Sequence, residues 1–114
     1  MKNKALLMGI AVSLAALTGQ TYAGQAESLE LAKKSGCLAC HAVDKKVVGP
    51  AWQAVGDKYK GDAGAKAALV AKVKAGGKGN WTEVTGGVPM PPYSPRVPDA
   101  DIESLVDFVL SLGK

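Results

Sequence analysis

Cys37-Leu38-Ala39-Cys40-His41 sets two thiols three positions apart with an imidazole directly behind them. That spacing is what covalent haem attachment demands. The two cysteines add across the haem vinyl groups as thioethers, and the adjoining histidine is then placed to meet the iron with a ring nitrogen. A chain tied to a macrocycle in this way must fold around it. Cys37 and Cys40 are the only cysteines and His41 is the only histidine, so no second set of such ligands competes.

Lys2 and Lys4 precede an apolar run from Ala5 to Leu17, a polar stretch at Thr18-Gly19-Gln20, and then Thr21-Tyr22-Ala23. The pattern reads as a secretory signal peptide over residues 1–23, cut after Ala23, with a cut after Ala26 as the alternative because Thr21 is an unusual residue three places before the cleavage point. The apolar run of 13 residues is shorter than the ~20 that a membrane-spanning helix needs. Export to the periplasm, across a bacterial inner membrane, with no stable membrane insertion after cleavage, is therefore expected. Residues 24–114 show one composition throughout and no internal repeat, which predicts a single domain.

Loss of Lys2 and Lys4 lowers the formal net charge from +4 to +2. That balance is too mild for a nucleic-acid binder, which would carry a basic stripe with interleaved aromatics. The whole chain holds only two tryptophans, three tyrosines and one phenylalanine. A domain this small buries a modest share of its surface, and an apolar macrocycle would supply core that the side chains lack.

Apolar spacing predicts four helices and no strand. The first spans about Gln25 to Ser35, with Leu29, Ala32 and Leu31 inward and Gly36 as its stop. A short second helix follows Gly49-Pro50, from Ala51 to about Lys58. The third runs from Ala63 to Lys74 behind Asp62 as N-cap, with Leu69, Val70 and Val73 on its apolar face and Gly76-Gly77 after it. The last starts near Asp99, is helped at its positive end by Asp101 and Glu103, and repeats apolar residues at Ile102, Leu105, Val106, Val109 and Leu112. It is expected to pack on the first. Between Gly76 and Pro98 the sequence is dense in glycine and proline and predicts a wrapping loop without regular structure; a loop of that length is usually functional. The fold class expected is all-α.

Met1 and Met8 leave with the signal peptide, so Met90 is the only methionine of the mature chain. Methionine is often a mere filler of irregular gaps in a core. Here it stands about 50 residues beyond the Cys-x-x-Cys-His site, braced by Pro89, Pro91 and Pro92, which stiffen the backbone and fix the reach of the thioether. His41 and Met90 are therefore expected as the two axial iron ligands.

Taken in order, Gly36-Cys37-Leu38-Ala39-Cys40-His41, Val48-Gly49-Pro50-Ala51, Gly79-Asn80-Trp81, Pro89-Met90-Pro91-Pro92 and a C-terminal helix resemble a class I bacterial cytochrome c of the short cytochrome c-551 type. The resemblance covers essentially the whole mature chain. It implies about four helices wrapped around one covalently bound haem c, with the N- and C-terminal helices packed together. It further implies that Pro50 offers its carbonyl to the His41 ring N–H, though a plain turn is the alternative, and that Trp81 lies at the haem edge with its indole N–H on a propionate. Lys72 occupies the place where relatives often have an arginine near a propionate; a lysine on a helix surface is more often simply solvated. Tyr93 stands where relatives commonly carry an asparagine bonded to the ligand sulfur. The segments Thr82–Val88 and Ser94–Arg96 are longer than in the shortest members.

Two axial ligands leave no open position for substrate, so the expected function is one-electron transfer by a monomer and not catalysis. The resemblance implies a quinol-oxidising complex as donor and a terminal oxidase or denitrification reductase as acceptor. Lys33, Lys34, Lys45, Lys46, Lys58 and Lys60 could ring the haem edge and steer acidic partners into contacts below about 1,200 Å². Three rivals are weaker. A thiol–disulfide oxidoreductase would need a βαβ setting, zinc would need a fourth ligand, and a gas-binding haem protein would need Met90 to yield its place.

Overall fold

The computed structural model describes residues 15–114, with side chains described from Gly24 onward. Residues 1–14 of the expected signal peptide lie outside the described residues. Helix α1 spans Ala15–Lys34, α2 Trp52–Lys58, α3 Ala65–Ala75, α4 Thr82–Thr85 and α5 Asp99–Ser111, with one 3₁₀ turn at Cys37–Ala39. Among the described residues there is no strand, only isolated bridges between His41 and Lys46 and between Gly77 and Met90. The all-α expectation holds.

Several boundaries differ from those read off the sequence. Helix α1 begins well before Gln25, because no proline interrupts residues 15–34 and single glycines only weaken a helix. Its end is set where Gly36 takes φ 87°, a conformation that turns the chain out of the helix directly before Cys37. Asp62 is not the N-cap of α3. Its side chain accepts the N–H of Gly64 at 2.9 Å in a local turn, and helix starts at Ala65 behind Gly64. The expected featureless loop from Gly76 to Pro98 contains the single turn α4. That turn closes where Gly86, at φ 67°, donates its N–H to Thr82 O at 2.9 Å.

Helix α5 is the organising element, touching α1, α2 and α3. Its wide apolar face divides the core in two. Leu105, Phe108 and Val109 join Ala32 of α1, Cys37, and Trp52 and Val55 of α2. Ile102 and Val106 join Tyr93 and Val97 on the other side, with Val70, Val73 and Met90 partly buried against them. Ile102 is fully enclosed, a burial that stabilises by about 1.5–3 kcal/mol. The exposed ion pairs Lys66–Asp107 at 3.2 Å and Lys74–Asp99 at 3.1 Å link α3 to α5, and pairs of this kind add little. The acidic residues in the first turn of α5 are Asp99 and Asp101; Glu103 lies beyond it.

At the far end, α2 crosses the end of α5 backbone to backbone. A side-chain carbon on Gly56 would lie 2.6 Å from Gly113 N and 2.7 Å from Val109 O. Only glycine permits that approach. The C-terminus is then held by Asp57, whose carboxylate accepts the Lys114 N–H at 2.7 Å, and by Gln53, which donates to Leu112 O. Together these contacts fix α2, and with it Trp52, against α5.

Candidate functional site

One cavity of about 350 Å³ lies between the Cys37–Trp52 segment, α3, α5 and the chain from Gly77 to Tyr93. Cys37, Cys40, His41, Pro50, Lys72, Trp81 and Met90, which sequence reading singled out over a span of more than fifty positions, all line it. Most of its remaining wall is aliphatic or aromatic, including Val55, Leu69, Leu105 and Val109. It is a mostly apolar site with a few placed polar groups, as cofactor sites generally are.

The histidine wall is built from adjacent sequence. Gly36 turns the chain out of α1, and the 3₁₀ turn delivers Cys37 and Cys40, which are not joined to each other in a disulfide. The carbonyl of Cys37 accepts the N–H groups of Cys40 at 3.2 Å and His41 at 3.1 Å, and the carbonyl of Cys40 accepts those of Val48 at 3.2 Å and Gly49 at 2.7 Å. These bonds fold 37–49 into a tight loop beneath the imidazole. His41 Nδ1 lies 2.9 Å from Pro50 O. A carbonyl can only accept, so Nδ1 carries the proton and Nε2 keeps a lone pair.

The ring is also clamped on its faces. A side-chain carbon on Gly49 would sit 2.6 Å from His41 Cε1, and Trp52 stacks on the imidazole with centroids 5.6 Å apart at 24°. Trp52 in turn meets Phe108 of α5 edge to face at 6.0 Å. Burial pushes the His41 pKa down, opposed by the Pro50 hydrogen bond, which favours the neutral imidazole that can bind a metal. Burial likewise pushes the Cys37 thiol up.

The methionine wall is a strap. Gly76, at φ 74°, ends α3 so tightly that a side-chain carbon there would lie 2.6 Å from Met90 O and 2.8 Å from Pro92 N. Gly77 and Met90 exchange hydrogen bonds of 2.9 and 3.0 Å, and Tyr93 N donates to Val73 O at 3.1 Å. Met90 is half-buried. Val88 beside it is 50% exposed.

Lys72 reaches from α3 past Gly77 and Gly79 and donates weakly to Gly76 O at 3.5 Å. Trp81 is half-buried against the core, and the Lys58 ammonium sits 5.2 Å from the centroid of its ring. Tyr93 is buried and lines the cavity, and among the described residues no hydrogen bond joins it to Met90. Of the lysines expected to ring the edge, all six are exposed, but Lys60 is turned to the C-terminus, where its ammonium meets Lys114 O. Sequence reading missed Trp52 as the platform of the histidine. The only sequence hint is an aromatic just after Gly49-Pro50-Ala51 at a helix start, which does not by itself name the ring it meets. Among the described residues no three His, Cys, Asp or Glu side chains gather as a metal-binding group.

A helical fold enclosing an apolar cavity, with two cysteines, one oriented histidine and one methionine on its walls, fits the class of covalent haem proteins. The residues present fit that group. The sequence profile of the family described as Cytochrome c matches residues 25–113, and the chain belongs to that family. It is 53% identical over 98 residues to cytochrome c-551 of Allochromatium vinosum, spanning 85% of this chain and 99% of that one. Identity is 42% over 101 residues with cytochrome c-552 of Hydrogenobacter thermophilus, 89% of this chain and 93% of the relative. Among solved structures, wild-type cytochrome c552 of Nitrosomonas europaea superposes with a TM-score of 0.66 at 44% identity, covering 74% of this chain and 98% of that one. The class 1 cytochrome MtoD of Sideroxydans lithotrophicus ES-1 gives 0.64 at 32% identity, over 76% and 94% respectively.

Membership in this group carries one covalently attached haem c, and the protein is an electron-transfer cytochrome of the class I c-551 type that works with redox partners. No helix of the described residues is long and apolar enough to cross a membrane.

Proposed function

We propose that this chain is a periplasmic monohaem electron carrier in which His41 and Met90 are the axial iron ligands and Cys37 and Cys40 the thioether anchors. In this reading residues 1–23 are removed on export and residues 24–114 act as a monomer. The observation that carries it is the meeting, in one apolar cavity, of an imidazole whose Nδ1 is committed to Pro50 O at 2.9 Å with the only methionine beyond the leader.

When bound, haem c supplies a one-electron iron couple. The polypeptide does the rest. Pro50 and Trp52 hold the imidazole in one tautomer and one plane, so His41 does not reorganise when the charge at its Nε2 side changes. Met90 is carried on a backbone stiffened by three prolines and pinned to Gly77. A thioether as second ligand favours a higher potential. The aliphatic walls from α3 and α5 exclude water, and a low dielectric with preset ligands keeps rearrangement on electron transfer small. In this reading Trp81 and Lys72, which line the cavity, would take the propionates.

With His41 and Met90 both committed to the iron, no position would be left for substrate, so substrate chemistry is not part of this reading. A quinol-oxidising complex is the donor class, and a terminal oxidase or denitrification reductase the acceptor class, that the family likeness favours. Haem staining that persists through denaturing electrophoresis, together with the weak far-red thioether-to-iron band of the ferric protein, tests the ligand set. Rapid carbon monoxide binding by the reduced wild-type protein would replace it with a gas-binding site.

A further inference from the structure

We infer that Tyr93 holds Arg96 as a fixed, uncompensated positive charge against the Cys37 side of the haem cavity, where it biases the iron toward the reduced state. The inference rests on the haem reading above and extends it to residues with no ligand role.

Arg96 is the only arginine of the chain. Its guanidinium carbon lies 4.8 Å from the centroid of the Tyr93 ring, a stacking that a planar guanidinium sustains and an ammonium does not reproduce. The ring under it is not a free surface group. Tyr93 is 6% exposed, packs with Val97, Ile102 and Val106, and lines the same cavity as Cys37, Cys40 and Met90. Its backbone is fixed at both ends, with Tyr93 N on Val73 O at 3.1 Å and Val97 N on Tyr93 O at 2.8 Å, so the turn carrying Arg96 closes back on the tyrosine. The ring edge reaches Gly36, the residue before Cys37, with Cε1 3.9 Å from where a side-chain carbon on that glycine would stand.

The charge is also unopposed. Among the described residues the ion pairs are Lys66–Asp107 and Lys74–Asp99, and no carboxylate meets Arg96. Oxidised haem carries one positive charge more than reduced haem, so a nearby cation disfavours the oxidised state. An arginine keeps its charge at every working pH. The bias is therefore independent of pH and is weakened by salt, because the guanidinium is exposed.

The test is spectroelectrochemical titration of the haem-loaded protein at low and high ionic strength, for wild type, R96Q, R96K, Y93F and Y93L. R96Q is expected to lower the potential while leaving the far-red band intact, with the difference shrinking as salt rises. R96K should recover part of the potential, and Y93F, which keeps the ring, should match wild type. Y93L should fall with R96Q, and the double variant should fall little further, since both changes remove one device. An R96Q potential equal to wild type at low salt with the band present would overturn the inference, as would an R96Q shift accompanied by loss of the band. A wild-type protein without the band instead defeats the Met90 assignment, so the two failures are distinguishable.

Discussion

The two walls of the haem cavity are built in opposite ways. On the histidine side, the segment from Cys37 to Gly49 is folded by four backbone hydrogen bonds to the carbonyls of Cys37 and Cys40, and the imidazole is clamped by Pro50, Gly49 and Trp52. On the methionine side, a strap rich in glycine and proline is pinned by one exchanged pair of bonds between Gly77 and Met90 and by Tyr93 N on Val73 O. Local contacts preset His41. Met90 depends on where α3 and α5 place the strap, and its neighbour Val88 stays half in solvent. Different sensitivities to mutation follow.

The largest effect is expected from M90A. Covalent haem should remain, because the cysteines and His41 are untouched, while the far-red band is lost and the reduced protein gains rapid carbon monoxide binding. Retention of the band in that variant would mean that another group is the ligand and that the strap does not serve the iron.

Next comes G49A. Its added carbon would meet the imidazole at 2.6 Å, and overpacking of a fixed site costs about 1–3 kcal/mol. A lower yield of haem-loaded protein and a reduced melting temperature are the readouts. If G49A melts and loads as wild type does, the histidine wall is softer than its hydrogen bonds imply.

G56A acts on the same wall from behind, through the crossing with Gly113, where a side-chain carbon would meet main-chain atoms at 2.6–2.7 Å. A loss of about 1–3 kcal/mol in denaturant unfolding, with an unchanged far-red band, is expected. A spectral change without loss of stability would place Gly56 in the site and not in its support.

The smallest effect concerns Asp57, whose carboxyl is held below its ordinary pKa first by the Lys114 N–H and then by Gln53 and nearby lysines. A carboxylate with a lowered folded-state pKa stabilises the fold above its unfolded value, and that contribution fades as pH falls through the folded value. D57N should therefore melt below wild type at neutral pH, with the two curves converging in acid. A gap that persists at low pH would show that the loss is one of packing and not of charge.

Much of this was legible in the chain. Cys-x-x-Cys-His is a local constellation whose chemistry is set by spacing, so Cys37, Cys40 and His41 declare themselves without a fold. Met90 emerged by elimination once the leader was set aside, and the apolar repeat of α5 named nearly its whole buried face, Phe108 excepted. Trp52 was not legible as a partner of His41, because stacking eleven positions away depends on how α2 is anchored to α5. Nor was the turn α4, since its four residues carry too short a pattern to read. Asp62 shows a further limit. A residue with the right chemistry for a cap bonded the nearer Gly64 N–H and left the helix to start later.

The sequence alone determined the attachment chemistry and the helical class and singled out the two side chains proposed as iron ligands, because each is a matter of residue type at short range or of a residue that occurs once. Tertiary structure alone decided that Pro50 O meets Nδ1, that Trp52 supports the ring, that Gly76 lets the strap lie against α3, and that Arg96 rests on Tyr93. Those are contacts between segments brought together by burial on α5, and their geometry exists only when the core is packed.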